Sequence, residues 1–322
     1  MILPQFQYHQ PATLDEALSI ARKNDGEFDF IAGGTDVLPN YKNRLNNQKH
    51  VISLSGIKEL FEVSDEKIGS MVTLVEIEKS KTIKKNFPAL AKAAHVIATP
   101  LLRESATVGG NILLDTRCWF FNQSFLWRES KGFCLKADGD DCLVIPQKEI
   151  CYATYSGDLA PVFMVLDAMF HLAGPEGNRE IHSSKFFTHD GITMNVKLPE
   201  EILTHISLPK EAQSMKAAYR KLRVRDSMDY PVLGTAVALR LRGQTIDELK
   251  IAITGTGTTP FIYDEITDKF KGDQLTPELI DNISNEVMEE VQPYRNVHFS
   301  PQYRKAMVGV YLKRLLTELA NL

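Results

Sequence analysis

No cysteine occurs outside residues 118–151, and no apolar run approaches the roughly 20 residues needed to span a bilayer. The N-terminal stretch Met1-Ile2-Leu3-Pro4-Gln5-Phe6 lacks the basic start and apolar segment of a secretory leader. A net charge of −4 leaves no overall basic field, so neither nucleic acid nor membrane is an expected partner. Walker loops, three-glycine dinucleotide fingerprints, His-Glu-x-x-His pairs and Gly-x-Ser-x-Gly elbows are all missing. Internal repeats and low-complexity tracts are missing too. These absences predict a soluble, cytoplasmic protein of ordinary composition. In a reducing compartment, clustered cysteines serve as metal ligands rather than disulfides.

What is present is concentrated. Cys118, Cys134, Cys142 and Cys151 are the only cysteines, separated by steps of 16, 8 and 9 residues. Four soft thiolates in one segment suit either zinc or an iron–sulfur cluster. Close Cys-x₂₋₄-Cys knuckles, usual in structural zinc sites, do not occur. Trp119, Phe120, Phe121, Phe125, Trp127 and Phe133 fill the same segment and are expected to give the loop a small core of its own.

Along the chain, Thr13 and Glu16 form a capping-box pattern before a helix over Ala17, Leu18 and Ala21. Strands are expected at Phe28 to Ala32 and His50 to Leu54, making a small βαβ-like unit. A turn at Ser64-Asp65-Glu66 precedes a strand at Lys67–Ser70. Thr73 and Pro88 then open helices, and an amphipathic helix is expected over Gly157 to Ala168. A hairpin follows, Phe170–Ala173 with Arg179–Ile181. Beyond residue 213, three antiparallel strands (Met215–Val224, Pro231–Leu241, Ile246–Thr254) precede two helices started by Thr276-Pro277 and Ser300-Pro301. The expected fold class is α/β + α+β: an α/β lobe at 1–55, a second at 56–212 interrupted by a cysteine-rich insertion at about 114–155, and a domain at 213–322 with a three-stranded antiparallel sheet plus helices.

Two glycine loops carry chemistry. Ala32-Gly33-Gly34-Thr35-Asp36 directly follows a strand, and Thr107-Val108-Gly109-Gly110-Asn111 repeats the pattern. Paired glycines admit close backbone approach, and successive amides bind phosphate oxygens. A tight turn with a helix cap explains the first loop equally well. Asp158 at a helix start reads most simply as a cap that complements the helix dipole; accepting hydrogen bonds from a ribose or flavin is the other reading. Arg220, Lys221, Arg223 and Arg225 form a basic run whose alternate members face opposite sides if it is a strand.

The order of Ala32-Gly33-Gly34-Thr35-Asp36, Ile68-Gly69 with Thr73, Arg103, Thr107-Val108-Gly109-Gly110-Asn111 and Ser156-Gly157-Asp158-Leu159-Ala160-Pro161 resembles the FAD-binding subunits of the molybdenum hydroxylase family. Tyr219-Arg220-Lys221-Leu222-Arg223 and Asp229-Tyr230 extend the resemblance into the last domain. It implies a two-lobed FAD-binding fold of the PCMH/molybdopterin-dehydrogenase type, with FAD extended between the lobes and Lys221 near the flavin. The four-cysteine insertion, with Asp115-Thr116-Arg117-Cys118 and Cys151-Tyr152-Ala153-Thr154-Tyr155, resembles one branch, the β subunits of 4-hydroxybenzoyl-CoA reductases.

That likeness implies a 4Fe-4S cluster on Cys118, Cys134, Cys142 and Cys151, with reduced ferredoxin as electron donor. It also implies a large molybdenum-cofactor subunit, a small subunit with two 2Fe-2S clusters, and a heterohexamer of two three-subunit units. The implied activity is an oxidoreductase one, the loss of the ring hydroxyl of 4-hydroxybenzoyl-CoA, with no catalytic substrate site on this chain. Two other readings stay open: a related hydroxylase subunit working oxidatively, and a zinc-stabilised scaffold without redox chemistry.

Overall fold

Three β-sheets organise the chain. The computed structural model describes residues 2–64 and 66–321, so the expected turn at Ser64-Asp65-Glu66 lies partly outside the described residues. The first sheet holds β1 (Gln7–His9), β2 (Phe28–Ile31) and β3 (His50–Ser53), all parallel in the order β1-β3-β2. β1 extends the expected βαβ unit; its three residues, Gln-Tyr-His, are too short and too polar to announce a strand. The helix Leu14–Lys23 starts where Thr13 accepts the Glu16 amide, and it turns the small residues Ala17 and Ala21 inward. Small side chains there let the helix lie close to the sheet.

The second sheet comprises β4 (Lys67–Gly69), β5 (Met169–Gly174), β6 (Gly177–His182) and β7 (Ile202–Ser207), in the order β4-β7-β5-β6. Every pairing in it is antiparallel. This corrects the expected second α/β lobe to an α+β arrangement, in which Leu74–Lys79, Pro88–Val96 and Leu159–Val165 pack as helices beside the sheet. Leu159–Val165 is shorter than the expected helix and is buried on every side, so it has no polar face. Phe163, Phe170 and Phe186 pack edge to face behind it, with ring centroids 6.1 and 5.0 Å apart.

The third sheet contains β8 (Lys216–Leu222), β9 (Leu233–Arg242), β10 (Thr245–Thr254) and β11 (Phe261–Ile262), ordered β11-β10-β9-β8. It has four strands rather than the expected three, because two residues past a Thr-Thr-Pro turn add an edge to β10. Val237, Leu239, Ile251 and Ile253 face the long helices Pro277–Glu290 and Pro301–Ala320. Ala236, Ala238 and Ala252 on the opposite face share a core with Phe163 and Val165. Period-two alternation of large and small residues thus lets one sheet bury both faces. Among the described residues no helix is long and apolar enough to cross a membrane.

His171 and His205 are cross-strand partners whose rings stack 4.0 Å apart. Burial, then the neighbouring His171, pushes His205 down to about 4 from its usual value near 6.5. The unfolded chain takes up this proton near pH 6.5 and the folded chain only near pH 4, so stability falls as pH drops through that window and levels off below it. After solvent screening of a partly exposed ring, the loss is expected to be about 1 kcal/mol. Urea midpoints at pH 7.5, 6 and 4.5 should show this loss in the wild type and a smaller one in His205→Gln.

Candidate cofactor cleft and cysteine cavity

A cleft of about 690 Å³ opens between the first and second sheets and reaches the start of the third. Ala32, Gly33, Gly34, Thr35 and Asp36 line it from one side. Thr107, Gly109, Gly110 and Asn111 line it from another, and Asp158 and Lys221 close the end nearest the third sheet. The eleven residues expected at a cofactor site therefore border one space, of a size that suits an organic cofactor.

The two glycine loops are not equivalent. Among the described residues, no hydrogen bond engages the amides of Gly33, Gly34, Thr35 or Asp36, so this loop keeps four successive donors uncommitted. In the second loop every corresponding amide is spent. Val108 donates to Val72 O, Gly109 to Ser70 O, Gly110 to Thr107 Oγ1 and Asn111 to Thr107 O. The expectation that both loops offer amides to a diphosphate is corrected: only the first has them free.

The glycines also serve a different purpose from the one expected. A Cβ on Gly33 would run into the Ser105 carbonyl, and one on Gly109 would sit 2.7 Å from Ser70 Cβ. Both residues are small so that chain can pass chain and the walls can close. Ser70 itself was not singled out in sequence; it is 4% exposed, lines the cleft, and its Oγ has no partner. An orphaned buried hydroxyl in the wall of this cleft fits a hydrogen-bonding ligand.

Asp158 makes no cap bond. The Asn111 side chain takes the Leu159 amide instead, at 2.9 Å. That frees Asp158, 2% exposed, to accept from Tyr219 Oη at 2.8 Å and Lys221 Nζ at 3.0 Å. Burial pushes the Asp158 carboxyl up and the Lys221 amine down, against the attraction of the pair. Lys221 and Arg223 both donate to Val96 O, at 3.2 and 3.0 Å. Arg225 is exposed and pairs with Asp229.

All four cysteines are buried and reduced. They surround one small cavity with Phe120, Phe121, Leu135, Leu143, Val144, Ala153 and Lys136. Burial pushes the Cys118 thiol up to about 12 and the Cys151 thiol up to about 11, so as bare thiols they are protonated at neutral pH and unreactive. Among the described residues no three His, Cys, Asp or Glu side chains are placed to hold a metal ion. The aromatic filling is corrected in part: Phe121 is buried, but Trp119 and Phe125 are 43% and 46% exposed.

The insertion is fastened at its neck. Arg117 and Thr154 exchange both backbone hydrogen bonds at 2.7 Å. Asn296, fully buried, accepts from the Trp119 amide and Thr154 Oγ1 and donates to Tyr152 O. Arg117, beside the first cysteine, donates to Asp36 of the first glycine loop and to Tyr230 Oη, with its Cζ 4.6 Å from the Tyr230 ring centre. No local pattern marks Arg117 or Asn296, whose partners lie far away in sequence.

The fold and sequence have clear relatives. Residues 4–211 match the model of the FAD binding domain in molybdopterin dehydrogenase, and residues 217–319 match the CO dehydrogenase flavoprotein C-terminal domain. The carbon monoxide dehydrogenase medium chain of Hydrogenophaga pseudoflava is 26% identical over 320 residues, covering 98% of this chain and 97% of its own. An aldehyde oxidoreductase FAD-binding subunit of Escherichia coli is 29% identical, covering 80% of this chain and 83% of its own. A crystal structure of the Cu,Mo-CO dehydrogenase in its cyanide-inactivated form shares the fold with a TM-score of 0.80 at 23% identity, covering 100% of this chain and 99% of that one. With both family models matched along nearly the whole chain, this protein belongs to the medium, FAD-binding subunits of the xanthine dehydrogenase and carbon monoxide dehydrogenase family of molybdenum hydroxylases.

Proposed function

We propose that this chain is the electron-relay subunit of a complex that removes the ring hydroxyl of 4-hydroxybenzoyl-CoA to give benzoyl-CoA, holding FAD in the cleft and a 4Fe-4S cluster on Cys118, Cys134, Cys142 and Cys151. The observation that carries the reading is the ring of four buried thiols around one cavity, in an insertion whose neck is bonded to the cleft through Arg117 and Asp36. When bound, the flavin supplies paired and single electron transfer and the cluster supplies single electron transfer.

The chain's own part is placement. The free amides of Gly33, Gly34, Thr35 and Asp36 would hold the diphosphate, and Ser70 Oγ would gain the partner it lacks. The second glycine loop, its amides spent, would contribute shape and the Asn111 side chain. Asp158, fixed by Tyr219 and Lys221, would contribute to the cofactor site a carboxyl whose charge is balanced by the Lys221 ammonium. The four thiols would lose their protons to bind iron, since a coordinating thiol is deprotonated.

Reduced ferredoxin is the proposed donor to the cluster. A small subunit with two 2Fe-2S clusters would pass electrons onward to a large molybdenum-cofactor subunit that holds the acyl-CoA. Two such three-subunit units would form a heterohexamer in the cytoplasm.

Metal, acid-labile sulfide and flavin analysis of the intact protein tests the reading, with each cysteine changed in turn to serine. About four irons with matching sulfide are expected in the wild type, with their loss and full retention of FAD in the variants. One zinc per chain, or iron that survives the substitutions, overturns it.

A further inference from the structure

A charge pair links the walls of the two cavities, Lys136 on the cysteine cavity and Asp115 on the cleft. Of the described side chains that line the cysteine cavity, Lys136 alone carries a charge; the others are the thiols and apolar groups. Its side chain is 8% exposed. It donates to Asp115 Oδ1 at 2.5 Å, Thr116 Oγ1 at 2.6 Å and the Gly191 carbonyl at 2.9 Å, and it lies 4.8 Å from the Phe121 ring centre. Asp115, on the other side of the pair, lines the flavin cleft.

An ammonium held by three acceptors has no need to compensate a surface charge elsewhere, and three bonds fix it in a water-poor wall. A thiolate-ligated cluster is anionic, and taking up one electron with no proton adds a further negative charge in that apolar cavity. A fixed cation at the wall stabilises the added charge far more than the same cation would in water. Charge and solvent exposure around the sulfurs set the potentials of such clusters.

We propose that Lys136 sets the one-electron reduction potential of the centre bound by the four cysteines, and that Asp115 moderates it from the flavin side. The inference rests on the cluster reading above. Lys136 is a positioning residue: it binds neither iron nor flavin and acts through its field. The sign of each substitution is fixed. Lys136→Gln removes the cation, so the reduced state is less favoured and the midpoint moves to more negative potential. Asp115→Asn removes the opposing carboxylate while Asn can still accept the Lys136 hydrogen bond, so the midpoint moves to more positive potential.

The test is a dithionite titration of the flavin-containing protein, with the reduced cluster followed by electron paramagnetic resonance and iron counted in the same samples. Shifts of opposite sign at wild-type iron content support the proposal, because a merely structural contribution would move both variants alike. Unchanged midpoints at full iron content, or shifts in one direction for both variants, overturn it while leaving the cluster reading intact. If Lys136→Gln loses its iron, Asp115→Asn decides alone, since it leaves the ammonium in place. A wild-type protein without iron overturns this proposal and the parent reading together.

Discussion

Gly33→Ala is expected to leave the protein without flavin and to lower its unfolding free energy by about 3 kcal/mol or more. The new methyl group would land on the Ser105 carbonyl, which is backbone and cannot rotate aside. The first glycine loop would have to retreat from the segment that leads into the second, and the cleft between them would lose its shape. Gly110→Ala is the paired control. Its Cβ would meet only Thr107 Oγ1, at 3.0 Å, so the fold is expected to survive with a loss under about 1 kcal/mol. Urea midpoints and flavin-to-protein ratios measure both. A Gly33→Ala protein that keeps its midpoint would show that the two segments do not depend on this close approach.

The second large effect lies away from the cleft and the cysteine cavity. Arg304 is fully buried, and its guanidinium has three carbonyl acceptors and no carboxylate: Val232 O at 2.9 Å, Tyr294 O at 2.8 Å, and Gly255 O. Burial pushes its pKa down to about 10, which still leaves it charged at neutral pH. The three carbonyls come from the approach to β9, the exit of β10 and the turn between the two long helices, so one side chain joins three segments of the last domain. Arg304→Met would fit the space approximately but would strand all three acceptors, each costing about 1–3 kcal/mol when unsatisfied. A loss of about 3–5 kcal/mol is expected, comparable to breaking a buried ionic contact. Arg304→Lys, able to reach one or two of the carbonyls, should fall between. Denaturant titration of the two variants checks the order, and a Met variant within about 1 kcal/mol of wild type would mean that water replaces the guanidinium.

Much of this arrangement is legible in the residues themselves. Cysteines are chemically distinctive and occur nowhere else in the chain, so their convergence on one cavity could be expected from their clustering. The two glycine pairs point to the cleft, although for only partly correct reasons: the first loop keeps its amides free, whereas the second spends them on its own turn and on the Ser70–Val72 segment. Caps at Thr13, Thr73, Thr276 and Ser300 were readable because a cap is a local event.

What escaped was long-range. Asp158 reads as a cap until Asn111, far earlier in the chain, takes the amide that a cap would serve. Lys136 and Arg117 look like ordinary surface cations until the fold sets one between two cavities and the other against Asp36 and Tyr230. The short strands β1 and β11 exist because neighbours template them, which no three-residue pattern can announce.

The paired backbone bonds between Arg117 and Thr154 bring the two ends of the cysteine segment side by side. In architectural terms the segment is a cartridge: the chain leaves the flavin-bearing frame and re-enters it at the same point. A turn of a few residues could close that gap without displacing Asp36, Asp158 or the third sheet. The frame has no geometric need of the segment, and the cleft can keep its walls whether or not the four cysteines are present.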